Sequence, residues 1–187
     1  QAHSDGAVVT NATEFTGWGS AVEASTVTLE PGLWSLSNFG QVLVSTIANG
    51  KTFTWDSSIA ARLSTHSSMT TSGFETRIDA ATDSGNPTVT RVTLISPTTR
   101  HLIHLGTETT IGDSTTQDDM FIRFSDQESI DQTDSYTVRA ENTAGTQRLA
   151  DGSKIIGAIR GRDAIYVWTD TALFIMRFVG APFTFSF

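Results

Sequence analysis

The chain has 187 residues, the length of one ordinary domain and enough to bury a core. Lys and Arg number 12 against 20 Asp and Glu; the net charge of −8 argues against a general nucleic-acid binder, which needs excess cation to displace counterions from phosphates. The cysteine count of 0 excludes a disulfide scaffold, a cysteine nucleophile and a zinc site with thiolate ligands.

The composition favours an all-β domain. The chain has 30 Thr and 20 Ser, and Thr, Val, Ile, Phe and Trp suit a pleated, half-buried surface. Low-complexity disorder is the competing interpretation, but 4 Trp, 11 Phe and a strand-like periodicity weigh against it. The longest mostly apolar run, 164–179, contains Asp170 and Arg177 and is too short to span a bilayer, so no membrane insertion is predicted. No basic-then-apolar leader opens the chain, so no secretory signal is predicted.

In chain order, the first predicted elements are a polar N-terminal segment, 1–30, and then a hairpin. The hairpin strands span 42–47 and 52–56, and both carry apolar residues between hydroxyl residues. Asn49-Gly50 joins them and predicts a type I′ turn, in which both central residues take positive φ.

Turn signals divide the rest of the chain into short strands. After the hairpin, the sequence predicts a short helical turn at 58–64 and a loop over 64–88. The further predicted strands share an alternation of apolar and polar residues and span 88–95, 100–105, 120–124, 154–159, 163–168, 173–179 and 183–187. The last of these stops inside an aromatic alternation, which predicts that the polypeptide once continued beyond it.

A repeat is visible among these strands. Segments that begin at Gln41, Arg100 and Arg162 each open a hairpin, and each is followed by an aromatic strand; the starts lie about 60 residues apart. The spacing suggests propeller blades over 31–88, 89–138 and 139–187, but a closed propeller needs about four to eight blades. The chain is therefore expected either to form propeller-like antiparallel blades of a larger propeller or to be a sandwich whose hairpins are similar by chance.

Few residues are arranged for chemistry. His101 and His104 lie three apart on a predicted strand, so they face opposite sides; they are read as surface or half-buried residues and not as metal ligands. Gly112-Asp113-Ser114 is similar to an esterase nucleophile block, but no histidine follows His104 to complete a triad. The sequence predicts no cofactor, no metal and no enzymatic activity.

An acidic stretch and four aromatic residues are the candidate functional features. The stretch has one cation, Arg123, and its carboxylates could pair for glycoside hydrolysis or form a solvated acidic face. Its acidic members are Asp113, Asp118, Asp119, Asp126, Glu128, Asp131 and Asp134. The aromatics expected in the blade cores are Trp55, Phe124, Trp168 and Phe178.

Charge is also divided unevenly along the chain. Residues 1–138 carry 6 basic and 16 acidic groups, whereas residues 139–187 carry 6 basic and 4 acidic groups. Such asymmetry is expected in a subunit that binds copies of itself head to side. It also arises by chance from the composition of the loops, and both explanations stay open.

Several motifs together resemble the tail nozzle, or tail tubular B-type, proteins of tailed bacteriophages. Residues 33–41 with Trp55-Asp56 are similar to one signature of that family, and residues 120–128 to a second. The third signature is matched by these segments: 142–145, 148–149, 152–153, 167–173 and 178–183. The resemblance covers about 30–187 and carries no catalytic residue.

The resemblance implies a structural virion protein whose copies assemble as a ring at the distal end of the tail. Its partners would be copies of itself, the tail adaptor and other tail proteins, with DNA as passing cargo; an acidic lumen or rim would keep the duplex from sticking. Members of the family contain β-propellers and are usually several times longer than this chain. A carbohydrate- or receptor-binding β module of a phage tail is the alternative expectation, and a glycoside hydrolase built on a propeller is a further rival.

Overall fold

A computed structural model describes residues 32–56, 87–130 and 135–187, with the backbone but not the side chains of Trp55 and Asp56. The chain divides after residue 33 into two units, and every strand reported below lies in the second, residues 34–187. The predicted helical turn at 58–64 and nearly all of the loop at 64–88 fall outside the described residues. Among the described residues, no helix is long and apolar enough to cross a membrane.

The second unit is all-β and contains three antiparallel sheets, each an up-and-down meander in chain order. The first sheet comprises β1 (Trp34–Phe39), β2 (Val42–Ile47) and β3 (Thr52–Asp56). The central sheet comprises β4 (Val92–Ile95), β5 (Leu102–Leu105), β6 (Phe121–Phe124) and β7 (Gly145–Arg148). The third sheet comprises β8 (Ile155–Arg160), β9 (Ile165–Thr169), β10 (Leu173–Gly180) and β11 (Thr184–Ser186). These sheets do not by themselves close a barrel or a propeller within the residues described.

The predicted hairpin is confirmed as β2 and β3, but its turn is not type I′. Asn49 has a positive φ of 57°, whereas Gly50 lies outside the left-handed region. The Gly50 amide donates to the Ile47 carbonyl at 2.9 Å, and Gly50 also forms a bridge with Thr90. A Cβ at position 50 would collide with the Ile47 side chain, so the glycine is needed for close approach and not for its φ.

Two strands were not predicted. β1 does alternate apolar and polar residues, but only over residues 34–37. β7 has no such alternation, and backbone pairing with β6 makes it a strand. The block boundary expected at about residue 139 precedes β7, which belongs to the central sheet, and the third sheet begins at Ile155.

The sequence repeat corresponds to a structural equivalence. Its three hairpins are β2–β3, β5–β6 and β9–β10, which are the second and third strands of the first, central and third sheets. The aromatic strand of each repeat is therefore the third strand of its sheet. This equivalence explains why hairpins far apart in the sequence share a pattern.

The central sheet is covered on both faces. One apolar core joins it to the first sheet and includes Val44, Ile95 and Leu102. A larger core joins it to the third sheet and includes Ile122 and Val167. Between neighbouring sheets the backbones approach mainly at the first strands, β1 beside β4 and β4 beside β8.

Hydroxyl groups form a buried seam between the first two sheets. The Thr46 Oγ1 lies 2.8 Å from both the Thr52 Oγ1 and the Thr93 Oγ1. The Thr93 amide donates to the Ser35 Oγ at 3.1 Å. Part of the high Thr and Ser content thus serves to satisfy buried polar groups where β1 and β2 meet β4.

Candidate functional site

The acidic stretch divides into two groups at opposite ends of the central sheet. Asp113, Asp118 and Asp119 precede β6, whereas Asp126 and Glu128 follow it. Because each strand residue adds about 3.3 Å, a four-residue strand separates the groups by roughly 10 Å or more. The remaining two candidates, Asp131 and Asp134, lie outside the described residues.

Asp118 is held by two donors before β6. Its carboxylate accepts from the Met120 amide at 2.9 Å and from the Arg148 Nε at 2.7 Å. Partial burial acts to raise the pKa of Asp118, but the hydrogen bonds and the Arg148 charge outweigh it and lower that pKa. Asp118 therefore orients the start of β6 as a carboxylate.

The two neighbouring acids have separate local roles. The exposed Asp113 accepts from the Thr115 amide at 3.0 Å and caps the 3-10 turn Ser114–Thr116. Asp119 faces Arg91 at 3.5 Å. Each carboxylate in this group thus has its own partner and does not share one with its neighbours.

The group after β6 is bonded to different loops. Asp126 accepts from the Thr143 amide at 2.9 Å and from the Gln127 amide at 2.8 Å. Partial burial acts to raise its pKa, but these donors, led by Thr143, lower it. The exposed Glu128 pairs with Arg100 at 3.2 Å.

These placements bear on the possible chemistry of the acids. A glycosidase general acid needs a raised pKa, and the pKa values of Asp118 and Asp126 move the other way. Within the ranges described, no group of three or more His, Cys, Asp or Glu side chains could hold a metal ion. The acids stabilise loops at both ends of the central sheet.

The four candidate core aromatics have different positions. Phe124 is 4% exposed, and its ring packs edge-on against Phe185 with centroids 4.9 Å apart. Trp168 is 41% exposed, because it points away from the core while its strand neighbour Val167 points inward; the expectation that it is a core residue is wrong for this unit. Phe178 is also exposed, although its ring contacts Phe185. The Trp55 side chain lies outside the description.

A buried polar network occupies the face of the central sheet that contains His104. The His104 Nδ1 lies 2.9 Å from the Thr90 Oγ1, and its Nε2 lies 2.9 Å from the Tyr136 hydroxyl. Burial, with the nearby Arg123 charge, lowers the pKa of His104 to about 3. Burial also raises the pKa of Tyr136. The surface or half-buried reading of His104 is therefore wrong, and the imidazole is a neutral, buried bridge.

Arg123 and Glu108 complete this network. The Arg123 Nη2 donates to the Glu108 carbonyl at 3.2 Å and to the Thr109 carbonyl at 2.9 Å. The buried Glu108 carboxylate accepts from the Thr88 amide at 3.1 Å and from the Thr88 hydroxyl at 2.6 Å. Burial lowers the pKa of Arg123, and the Glu108 charge opposes that shift. In the sequence, the position of Arg123 among the apolar residues of β6 was the one sign that it has a buried partner.

His101 lies on the opposite face from His104, as the strand spacing predicted. It too is buried, with its Nδ1 2.7 Å from the Thr99 Oγ1 and its Nε2 2.9 Å from the Thr143 Oγ1. Burial lowers its pKa to about 4, although the Asp126 charge acts in the other direction.

Stability is expected to fall as the pH drops below about 6.5. Both buried imidazoles have a lowered pKa in the folded chain, about 4 for His101 and about 3 for His104, so only the unfolded chain takes up protons between pH 6.5 and pH 4. Urea unfolding at pH 7.5, 6, 5.5 and 5 measures the effect, roughly in the range where the carboxylates stay ionised. His101→Gln should reduce the slope, and a free energy of unfolding that stays constant or rises over this range would contradict the assignment.

Comparison with protein-family models, with curated proteins and with solved structures found no match. The likeness to tail nozzle proteins therefore stays a resemblance, carried by the sequence motifs quoted above.

Proposed function

We propose that the chain is a structural subunit of a phage tail nozzle or hub ring, located in the virion tail, and that its three sheets are consecutive blades of a larger propeller. The observation that carries the proposal is the repetition of one meander, stacked in chain order with the first strands of neighbouring sheets side by side. Propeller blades are meanders arranged around a central channel. A wall of this kind needs rigid packing and no reactive pocket.

The acidic residues fit the rims of such a conduit better than its wall. The two groups lie at the ends of the central sheet, whereas the first strands would line the channel. Like charge at a rim repels DNA phosphates and keeps a passing duplex from binding. The partners on this proposal are copies of the chain, the tail adaptor and other tail proteins, and no cofactor is involved.

Immunogold electron microscopy of the phage particles tests the proposal. An antibody against this chain should label the distal tail tip of intact particles, and the intact mass of the labelled virion protein gives the length of the mature subunit. Label on the capsid, or a protein present in the lysate but lacking from purified particles, would overturn the assignment.

A carbohydrate-binding module of the tail is the second candidate, favoured by one observation. Trp168 is exposed on a strand, and the carboxylate of Asp170 follows two residues later. An exposed indole ring gives a sugar ring a flat apolar surface to pack against. A glycan array with the wild-type chain and Trp168→Ala decides this candidate, because only a sugar site would give signals that the substitution removes.

A further inference from the structure

Two turns of the third sheet lie at the same end of that sheet. Its four strands pair antiparallel in chain order, so the β8–β9 turn and the β10–β11 turn emerge on one side. The β9–β10 turn and the start of β8 lie on the other side. The first side comprises residues 160–164 and 177–183 and is called the hairpin end below.

The β10–β11 hairpin extends beyond the rest of the hairpin end. Met176 of β10 pairs with Ile165, the first residue of β9, and β10 then continues to Gly180. At about 3.3 Å per residue, the turn after Gly180 lies roughly 10 Å beyond the start of β9. Phe185, on the return strand, is buried in the larger core. The projection is therefore anchored to the folded unit at its base.

The tip of this hairpin is apolar and exposed. Val179 and Phe183 flank the turn, and the Phe183 side chain is 77% exposed. Ala181 and Pro182, between them, are exposed as well. No charged or hydrogen-bonding side chain occurs over residues 178–183. Transfer of such a tip from water into an apolar medium is favourable.

Three exposed arginines surround the base of the tip. Arg160 ends β8, Arg162 lies in the β8–β9 turn, and Arg177 lies on β10 before the tip. Within the described ranges, Asp163 is the one acid at the hairpin end, and none of the three guanidinium groups has an ion pair. Three cations against one acid leave a net positive charge that is available to anionic groups.

The opposite end of the same sheet has the reverse balance of charge. Asp151 and Asp170 lie there with one cation, Lys154, and all three side chains are exposed. The excess of positive charge is therefore confined to the end that carries the apolar tip.

The order of the two layers at the hairpin end matches the order of groups in an anionic bilayer. Peripheral apolar segments enter a bilayer by about 5–10 Å, past the phosphates and up to the acyl chains. The arginines lie about that distance behind the tip, and their long side chains suit the phosphate level. An acidic protein surface would attract the arginines but would give the projecting apolar tip no apolar medium.

We propose that the hairpin end binds a bilayer rich in anionic phospholipid, with the β10–β11 tip in one leaflet and the three arginines on the lipid phosphates. The contact is peripheral, because the tip enters one leaflet while the sheet stays outside the bilayer. It therefore differs from the bilayer span that the sequence argues against. The inference goes beyond the proposed function and does not rest on it, and its failure would leave the location in the virion tail to the labelling of particles.

Flotation with lipid vesicles tests the contact. The purified chain should rise with vesicles of phosphatidylglycerol and phosphatidylcholine and far less with phosphatidylcholine alone. Phe183→Ser should lower the partition coefficient on the anionic vesicles at least roughly tenfold, because the ring no longer leaves water. Arg162→Gln should lower it about fivefold. A chain that stays in solution with anionic vesicles, or a Phe183→Ser variant that binds as the wild type does, would overturn the proposal.

The opposite end of the sheet supplies the matched controls. Leu173→Ser and Lys154→Gln each change an exposed side chain there and should bind the anionic vesicles as the wild type does. Circular dichroism checks the fold of every variant. Controls that lose as much binding as Phe183→Ser and Arg162→Gln would show that the hairpin end has no special role.

An attached fluorescent probe tests which part of the sheet enters the bilayer, and the absence of native cysteine makes the labelling specific. Phe183→Cys and Leu173→Cys are each labelled with an environment-sensitive dye. On anionic vesicles, the emission of the dye at 183 should shift to shorter wavelength and be quenched by brominated lipids, whereas the dye at 173 should behave as in buffer. No response at 183, or an equal response at 173, would refute insertion through the tip.

Discussion

Replacing Phe124 by Ala is expected to lower the free energy of unfolding by about 3–5 kcal/mol. The ring is 4% exposed and packs edge-on against Phe185. It also lies directly over the backbone of β7, where a Cβ on Gly145 would be 2.6 Å from its Cζ. Removal of the ring therefore opens a cavity between the central and third sheets that neighbouring strands cannot fill without moving.

Trp168→Ala is the matched comparison for this prediction. Trp168 belongs to a similar aromatic alternation but is exposed on the side of β9 that points away from the core, so its loss should cost the single chain only about 1–2 kcal/mol. Urea titration measures both losses, provided that the free energy of unfolding depends equally on urea concentration in the two variants. A loss at Trp168 equal to or greater than the loss at Phe124 would show that the assignment of the two faces is wrong.

Replacing Arg123 by Leu is expected to destabilise the chain by about 3–5 kcal/mol, because it leaves the charge of Glu108 buried without its neighbouring cation. Arg123 is 6% exposed and Glu108 is fully buried. The substitution also removes the donor to the carbonyls of Glu108 and Thr109. The hydrogen bond from Arg123 to the Glu108 carbonyl is buried, so bulk water does not replace the guanidinium at that carbonyl.

A double-mutant cycle separates the charge effect from lost packing. If the charges compensate each other, Glu108→Gln should recover part of the loss in the Arg123→Leu background, with a coupling energy above about 1 kcal/mol. Arg148→Ala is the control, since its ion pair with Asp118 lies at the surface and should contribute about 0–1 kcal/mol. Additive losses at Glu108 and Arg123 would contradict the compensation.

Both results matter for the proposed architectural role. A conduit wall depends on the rigidity of its packed sheets, and the network around His104 and Arg123 stiffens the central sheet from one side while the Phe124 core does so from the other. If both sets carry the expected energies, the chain has the packing that a passive wall requires.

Local alternation along the chain was sufficient to predict the class of fold and most strands. β4 and β9 alternate between more buried and more exposed residues, and a period of two reflects the geometry of a pleated strand. β7 lacks that pattern, and its pairing with β6 makes it a strand, so no local signal marks it. β1 alternates only over residues 34–37, and its pairing with β2 completes the strand. The repeat of aromatic hairpins could also be recognised in the sequence, because the equivalent strands of the three sheets have similar residue patterns.

The burial of particular side chains could not be read in the same way, because burial depends on which sheets stack together. Phe124 and Trp168 stand in similar sequence contexts, yet one faces a neighbouring sheet and the other faces away from the core. The acidic stretch is continuous in sequence, but β6 divides it between two ends of a sheet. The partners of Glu108 and His104 come from residues far along the chain, and long-range packing alone determines that these polar groups lie inside the protein.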